Sequence, residues 1–143
     1  MISYVEIRAF AHATEDVDKV VQAVKNLLPQ QASEELVFKK TSLKGHHGNP
    51  IVLVETKIQG KTMIKAFVER LSSGLSTLDR EFLSRNFEQH VRKGSLYLRF
   101  DKQSAFMGEL RFGSADPLHL RVGFKTGKRE EMMKILRELG VLS

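Results

Sequence analysis

The segment SLYLRFDKQ, Ser95 to Gln103, alternates without interruption: Leu96, Leu98 and Phe100 fall on one side of an extended chain, Tyr97, Arg99 and Asp101 on the other. Such a segment is a strand with one packed face and one displayed face. Two later segments repeat the pattern. Leu110 and Phe112 oppose Glu109 and Arg111, and Leu118, Leu120, Val122 and Phe124 oppose His119, Arg121 and Lys125. The pattern predicts strands over about 94–101, 107–113 and 118–125, the last two forming a hairpin through Gly113-Ser114-Ala115-Asp116-Pro117. Together they present a cationic outer face.

Upstream, Ile2 to Ala13 alternates as well, with Val5, Ile7, Ala9 and Ala11 opposed to Tyr4, Glu6, Arg8, Phe10 and His12. Thr14 is then placed to cap a helix. Glu15, Asp16 and Asp18 favour its first turn through the macrodipole, and Val17, Val20, Val21, Val24, Leu27 and Leu28 make its apolar stripe up to Pro29. Segments of about 35–44 and 50–59 read as a hairpin around the loop Gly45-His46-His47-Gly48-Asn49-Pro50. Helical periodicity returns from Gly60 to His90, broken at Ser72-Ser73-Gly74 or Ser76-Thr77, and again over about 128–139. The order is strand, helix, two strands, two helices, three strands, helix. It predicts an α+β fold, a mostly antiparallel sheet with helices on one face.

A chain of 143 residues fits one domain, 1–143, and nothing resembling a repeat or linker marks a boundary within it. The absence of cysteine excludes disulfides, thiolate catalysis and the commonest zinc sites, and suits the cytoplasm. The opening MISYVEIRAF lacks the pattern of an export signal, and no run approaches the ~18 apolar residues of a membrane span. The net charge of +6 is unevenly placed: residues 1–90 hold 12 Lys and Arg against 11 Asp and Glu, residues 91–143 hold 11 against 6. That excess favours a polyanionic partner, nucleic acid over membrane.

Taken together and in order, YVEIRAFAHATED, GHHGNPIVLVE, LYLRFDKQSAFMGEL, LHLRVGFK and the terminal LGVL resemble an archaeal RNA-binding family once catalogued as a domain of unknown function and predicted to be an exosome subunit. The likeness runs essentially the whole length. It implies an α+β fold akin to an RNA-contacting ribosomal protein, RNA binding without a known catalytic act, and no catalytic residues to carry over.

Three groups of residues are candidates for the site. On the sheet face, Arg99, Arg111, Arg121 and Lys125 suit phosphates, Tyr97 suits an unpaired base, and Lys102 is a further phosphate contact; Tyr4, Arg8 and Phe10 add a stripe if the first strand joins the same sheet. The same residues also fit a plainer role, with Tyr4 and Phe10 packed and Arg99 paired to Glu109 or Asp101. At the last helix, Lys125, Lys128 and Arg129 crowd an N-terminus, where cations oppose the dipole unless an anion fills it; Glu130 and Glu131 offer an internal alternative. His46 and His47 form the third group, as phosphate contacts or as acid and base. Metal fits them poorly, because neighbouring side chains of extended chain diverge and His12 or His90 would have to converge from elsewhere.

The expected function is non-catalytic RNA binding associated with RNA processing or the exosome, with RNA and RNA-processing proteins as partners and no cofactor or metal. Oligomeric state is left open. Two other readings use the same residues: an RNA hydrolase built on His46 and His47, and a protein-interaction subunit whose basic face meets an acidic partner. Contact with roughly 6–10 phosphates would cost about 10³–10⁵ in affinity between about 50 and 200 mM salt.

Overall fold

The computed structural model describes residues 1–45 and 47–143; His46 lies outside the described residues. Six strands form one sheet: β1 (Ile2–Ala11), β2 (Lys39–Lys44), β3 (Pro50–Ile58), β4 (Val91–Arg92), β5 (Ser95–Phe100) and β6 (Leu118–Phe124). Their order is β2-β3-β1-β6-β5-β4, and every pairing is antiparallel. The predicted α+β class is the observed one.

Alternation decides which face the helices cover. Val5, Ile7, Ala9, Val54, Ile58, Leu96, Leu98, Phe100, Leu118, Leu120 and Val122 point to one side and are all buried. Against them lie α1 (Val17–Asn26), α3 (Lys61–Gly74), α4 (Thr77–Arg85) and α6 (Arg129–Glu138), which contribute Val20 and Val24, Phe67 and Leu71, Leu83, and Met132 and Leu136 to a contiguous core. The helix break falls where serine and glycine mark it. Gly74 closes α3, and the Ser76 hydroxyl accepts the Asp79 amide at 3.1 Å to open α4.

Four local expectations need correction. Asp16, not Thr14, caps α1, accepting the Asp18 amide at 2.9 Å. No element was expected between Pro29 and the strand of about 35–44, yet the extended backbone and fixed φ of Pro29 open a short helix, α2 (Gln30–Glu35), and β2 begins only at Lys39. Asp101, expected as the last residue of the 94–101 strand, lies just past β5. Its carboxylate accepts from the Ser104 amide at 2.9 Å and the Ser104 hydroxyl at 2.6 Å, which opens helix α5 (Lys102–Phe106).

The largest correction follows from that helix. Gly108, at φ +86°, reverses the chain behind α5, and the strand expected over 107–113 shrinks to a single bridge between Phe112 and Phe100. Leu110 still enters the core, so the alternation there was real in burial but insufficient to make a strand. In place of the expected hairpin partner, β6 pairs with β5 and β1, and the chain passes from β5 to β6 through α5 and an irregular return.

Candidate functional site

The uncovered face of the sheet carries its polar residues in rows set by strand register. One row runs Arg92, Ser95, Gly123 and Tyr4; the next Tyr97, Arg121, Glu6 and Lys57; the third Arg99, His119, Arg8, Glu55 and Lys39. Neighbouring strands lie about 4.8 Å apart, so each row is a close-set line of side chains across the sheet. A short 3₁₀ turn, Phe87–His90, walls one side of this face, and its His90 Nδ1 sits 3.1 Å from the Tyr97 carbonyl. Between the wall and the sheet lies an open trough of about 660 Å³ whose lining includes Arg8, Arg92, Tyr97, Arg99, His119 and Arg121.

Each cation is held there for a local reason. Lys93 and Gly94 both have positive φ, 48° and 76°, which is the two-residue reversal that matches strand twist and sets Arg92 opposite Ser95. Gly123 leaves a gap into which the Tyr4 ring folds: a Cβ built on Gly123 would meet Tyr4 Cε1 at 2.2 Å. The Arg121 guanidinium stands 5.7 Å from the Tyr4 centroid and 5.4 Å from the Tyr97 centroid, with its Nε donating to Ser95 Oγ at 3.2 Å. Lys57 covers Tyr4 at 4.8 Å. Cation–π contacts favour this arrangement of rings and cations, each by about 0.5–1 kcal/mol at an exposed position.

Four arginines of this face have no ion-pair partner among the described residues, although Glu6 and Glu55 share it. Among the described residues, no carboxylate comes within salt-bridge distance of Arg8, Arg92, Arg99 or Arg121. Glu6 is 4.0 Å from Lys57. His119, half-buried between Arg8 and Arg99, is held below its ordinary value of 6.5 by burial first and by the two arginines next, against a weaker pull from Asp116. It is neutral at pH 7, and an anion laid across the row would favour its protonation.

The expected site residues divide accordingly. Arg99, Arg121 and Tyr97 are exposed on the uncovered face as alternation required, and Arg8 and Tyr4 join them because β1 is central. Arg111 does not. It follows the return after α5 and pairs with Glu109 at 3.1 Å. Lys125 lies beyond the end of β6, where its amide donates to the Met1 carbonyl and its side chain borders an apolar groove between α3 and α6. At the start of α6, Arg129 pairs with Glu88, and Lys128 lies 3.9 Å from Glu131; neither lines the trough. His47 is exposed at the tip of the β2–β3 hairpin, past the end of the rows.

Lys102 is the clearest reversal. It is buried, and its Nζ donates to the Phe10 carbonyl at 2.7 Å, Asp116 Oδ2 at 2.6 Å and Glu15 Oε1 at 3.1 Å. Three acceptors consume the ammonium, so it joins α5 to β1 and the β6 approach rather than meeting phosphate. His12 Nε2 approaches the other Asp116 oxygen at 3.0 Å. Although burial opposes it, hydrogen bonds from Lys102 and His12 hold the Asp116 carboxyl below its usual range. His12, Glu15 and Asp116 have the spacing of metal ligands, but the cation among them is already Lys102.

Arg92, Glu6, Glu55, Gln89 and His90 are lining residues that sequence reading missed. Alternation in β1 set Glu6 outward without making it a site residue, and Glu55 lay in an expected strand with no face assigned, whereas Arg92, Gln89 and His90 belong to a turn and a two-residue strand with no readable period.

An antiparallel sheet covered by helices on one face, with arginines and tyrosine rings set on the other, defines an α+β protein with one open, cationic sheet face. The chain belongs to a family of proteins described as RNA binding, whose model matches residues 4–124. RNA-binding protein PAB1135 of Pyrococcus abyssi is 37% identical over 139 residues, spanning 94% of this chain and 90% of that protein. An uncharacterized protein of Methanocaldococcus jannaschii, MJ0213, is 29% identical over 98% of this chain and 99% of its own length. Among solved structures, the DUF54 protein AF2318 from Archaeglobus fulgidus superposes with a TM-score of 0.82 at 30% identity, covering 97% of this chain and 99% of that one.

Proposed function

We propose that this protein binds RNA on the uncovered face of its sheet, without catalysis, and that the whole chain acts as one RNA-binding unit. The observation that carries the reading is the set Arg8, Arg92, Arg99 and Arg121, gathered in one trough with no carboxylate in salt-bridge reach among the described residues. Guanidinium groups gathered in one trough without an ion-pair partner are available to an anion, and a phosphate backbone would neutralise them while gaining bidentate hydrogen bonds. Family membership and the name of the Pyrococcus relative support RNA as the polyanion.

A role in RNA processing, beside the exosome and in the cytoplasm, is the finer part of the proposal, and the family resemblance is its ground. No helix among the described residues is long and apolar enough to cross a membrane.

The test is titration of a fluorescently labelled RNA with wild type and with an Arg99→Glu, Arg121→Glu double variant. Wild type should bind and the double variant should lose most of that binding with its fold intact; equal binding by a folded double variant would remove the sheet face from the proposal. End-labelled RNA kept with wild type over about pH 5–8, where histidine titrates, should remain uncut.

A further inference from the structure

We infer that the trough takes single-stranded RNA and contacts its unpaired bases, an inference that rests on the RNA-binding reading above. Three features point to bases as well as phosphates. Tyr97 is 39% exposed among the arginines of the floor, with the Arg121 guanidinium 5.4 Å from its ring centroid. A site for phosphates alone has no use for an ordered, exposed ring, whereas any unpaired base offers a face to stack on it. Glu6 and Glu55 also line the trough. Carboxylates repel a phosphate backbone but accept hydrogen bonds from the N–H edges of bases, edges that are occupied in a duplex.

Size adds the third feature. About 660 Å³ is within the range of small-ligand sites and suits one or two nucleotides. An A-form duplex keeps its bases stacked inside a deep, narrow major groove and a shallow minor groove, so it would bring only phosphate and ribose to the rim and leave Tyr97, Glu6 and Glu55 without partners. A flexible single strand can lay phosphates on Arg99, two residues along β5 from Tyr97, and on Arg92, one row to the other side on β4 opposite Ser95, and turn a base down between them.

The experiment measures anisotropy at low salt with one labelled 12-nucleotide RNA in three forms: single-stranded, annealed to its complement, and carrying abasic sites at its centre. Wild type should bind the intact single strand at least about tenfold more tightly than the other two. Tyr97→Leu should lose roughly 5- to 100-fold on the intact strand, from the usual worth of one stacked base, with little change on the abasic strand. Tyr97→Trp, which keeps a stacking plane, should retain wild-type affinity, and far-ultraviolet circular dichroism checks that each variant is folded. Duplex or abasic RNA bound as tightly as the intact strand would overturn the single-strand inference while leaving RNA binding standing. No binding to any of the three forms would overturn both.

Discussion

Replacing Arg99 and Arg121 with glutamine tests the electrostatic account quantitatively. Sequence reading allowed six to ten phosphate contacts, but the structure removes Lys102 by burial, pairs Arg111 with Glu109 and Arg129 with Glu88, and leaves four arginines without carboxylate partners in the trough. Each phosphate neutralised on a single strand contributes about −0.7 to the slope of log affinity against log salt, so four contacts give about −2.8. Over a fourfold rise in salt that is roughly a 50-fold loss, well short of the thousandfold or more that six to ten duplex contacts would give. The double variant should halve the slope to about −1.4. Both side chains are exposed on an already hydrated face, so stability should move by no more than about 0.5–1 kcal/mol, Arg121 accounting for most of it through Tyr4, Tyr97 and Ser95. Anisotropy titrations at four or five salt concentrations read the slopes directly. A wild-type slope near zero, or a slope unchanged in the folded double variant, would refute the assignment of these arginines to phosphates.

Three further outcomes are expected. His119 is neutral in the folded protein below the pH at which it protonates in the unfolded chain, so the unfolded state binds more protons as pH falls through 6.5 and stability declines there; denaturation from about pH 7.5 to 5.5 should show a decline that His119→Gln flattens, and a parallel decline in the variant refutes it. Lys102→Met strands Glu15 and Asp116, which are partly hydrated, and should cost about 1.5–3 kcal/mol in urea unfolding without altering RNA affinity of the folded protein; weakened binding at unchanged stability would return Lys102 to the RNA site. Gly123→Ala drives a methyl into the Tyr4 ring and should expel it, visible as a shift in tyrosine fluorescence and a lower melting temperature; an unperturbed spectrum would contradict the packing described.

Much of the fold was legible because period-2 alternation is a local property of the chain. Where apolar residues recur every second position, one face must be buried whatever the partner strand, and Leu96, Leu98, Phe100, Leu118, Leu120 and Val122 all behave accordingly. The same argument placed Arg99, Arg121 and Tyr97 outward. It failed at 107–113, where the Asp101 cap starts a helix by a hydrogen bond to Ser104 and so carries the following residues off the sheet.

The sequence by itself determined the fold class, the covered and uncovered faces of the long strands, and the cationic character of the last third, because these depend on residue type and spacing alone. Tertiary structure decided which cations act together. The order β2-β3-β1-β6-β5-β4 makes β1 the neighbour of β6, which brings Arg8 beside His119 and Arg99, 91 residues away in the chain. Fold-level pairing likewise spent Lys102 on Phe10, Glu15 and Asp116. A charge counts toward a binding face only where solvent reaches it and no carboxylate does, and both conditions are set by contacts between segments far apart in sequence.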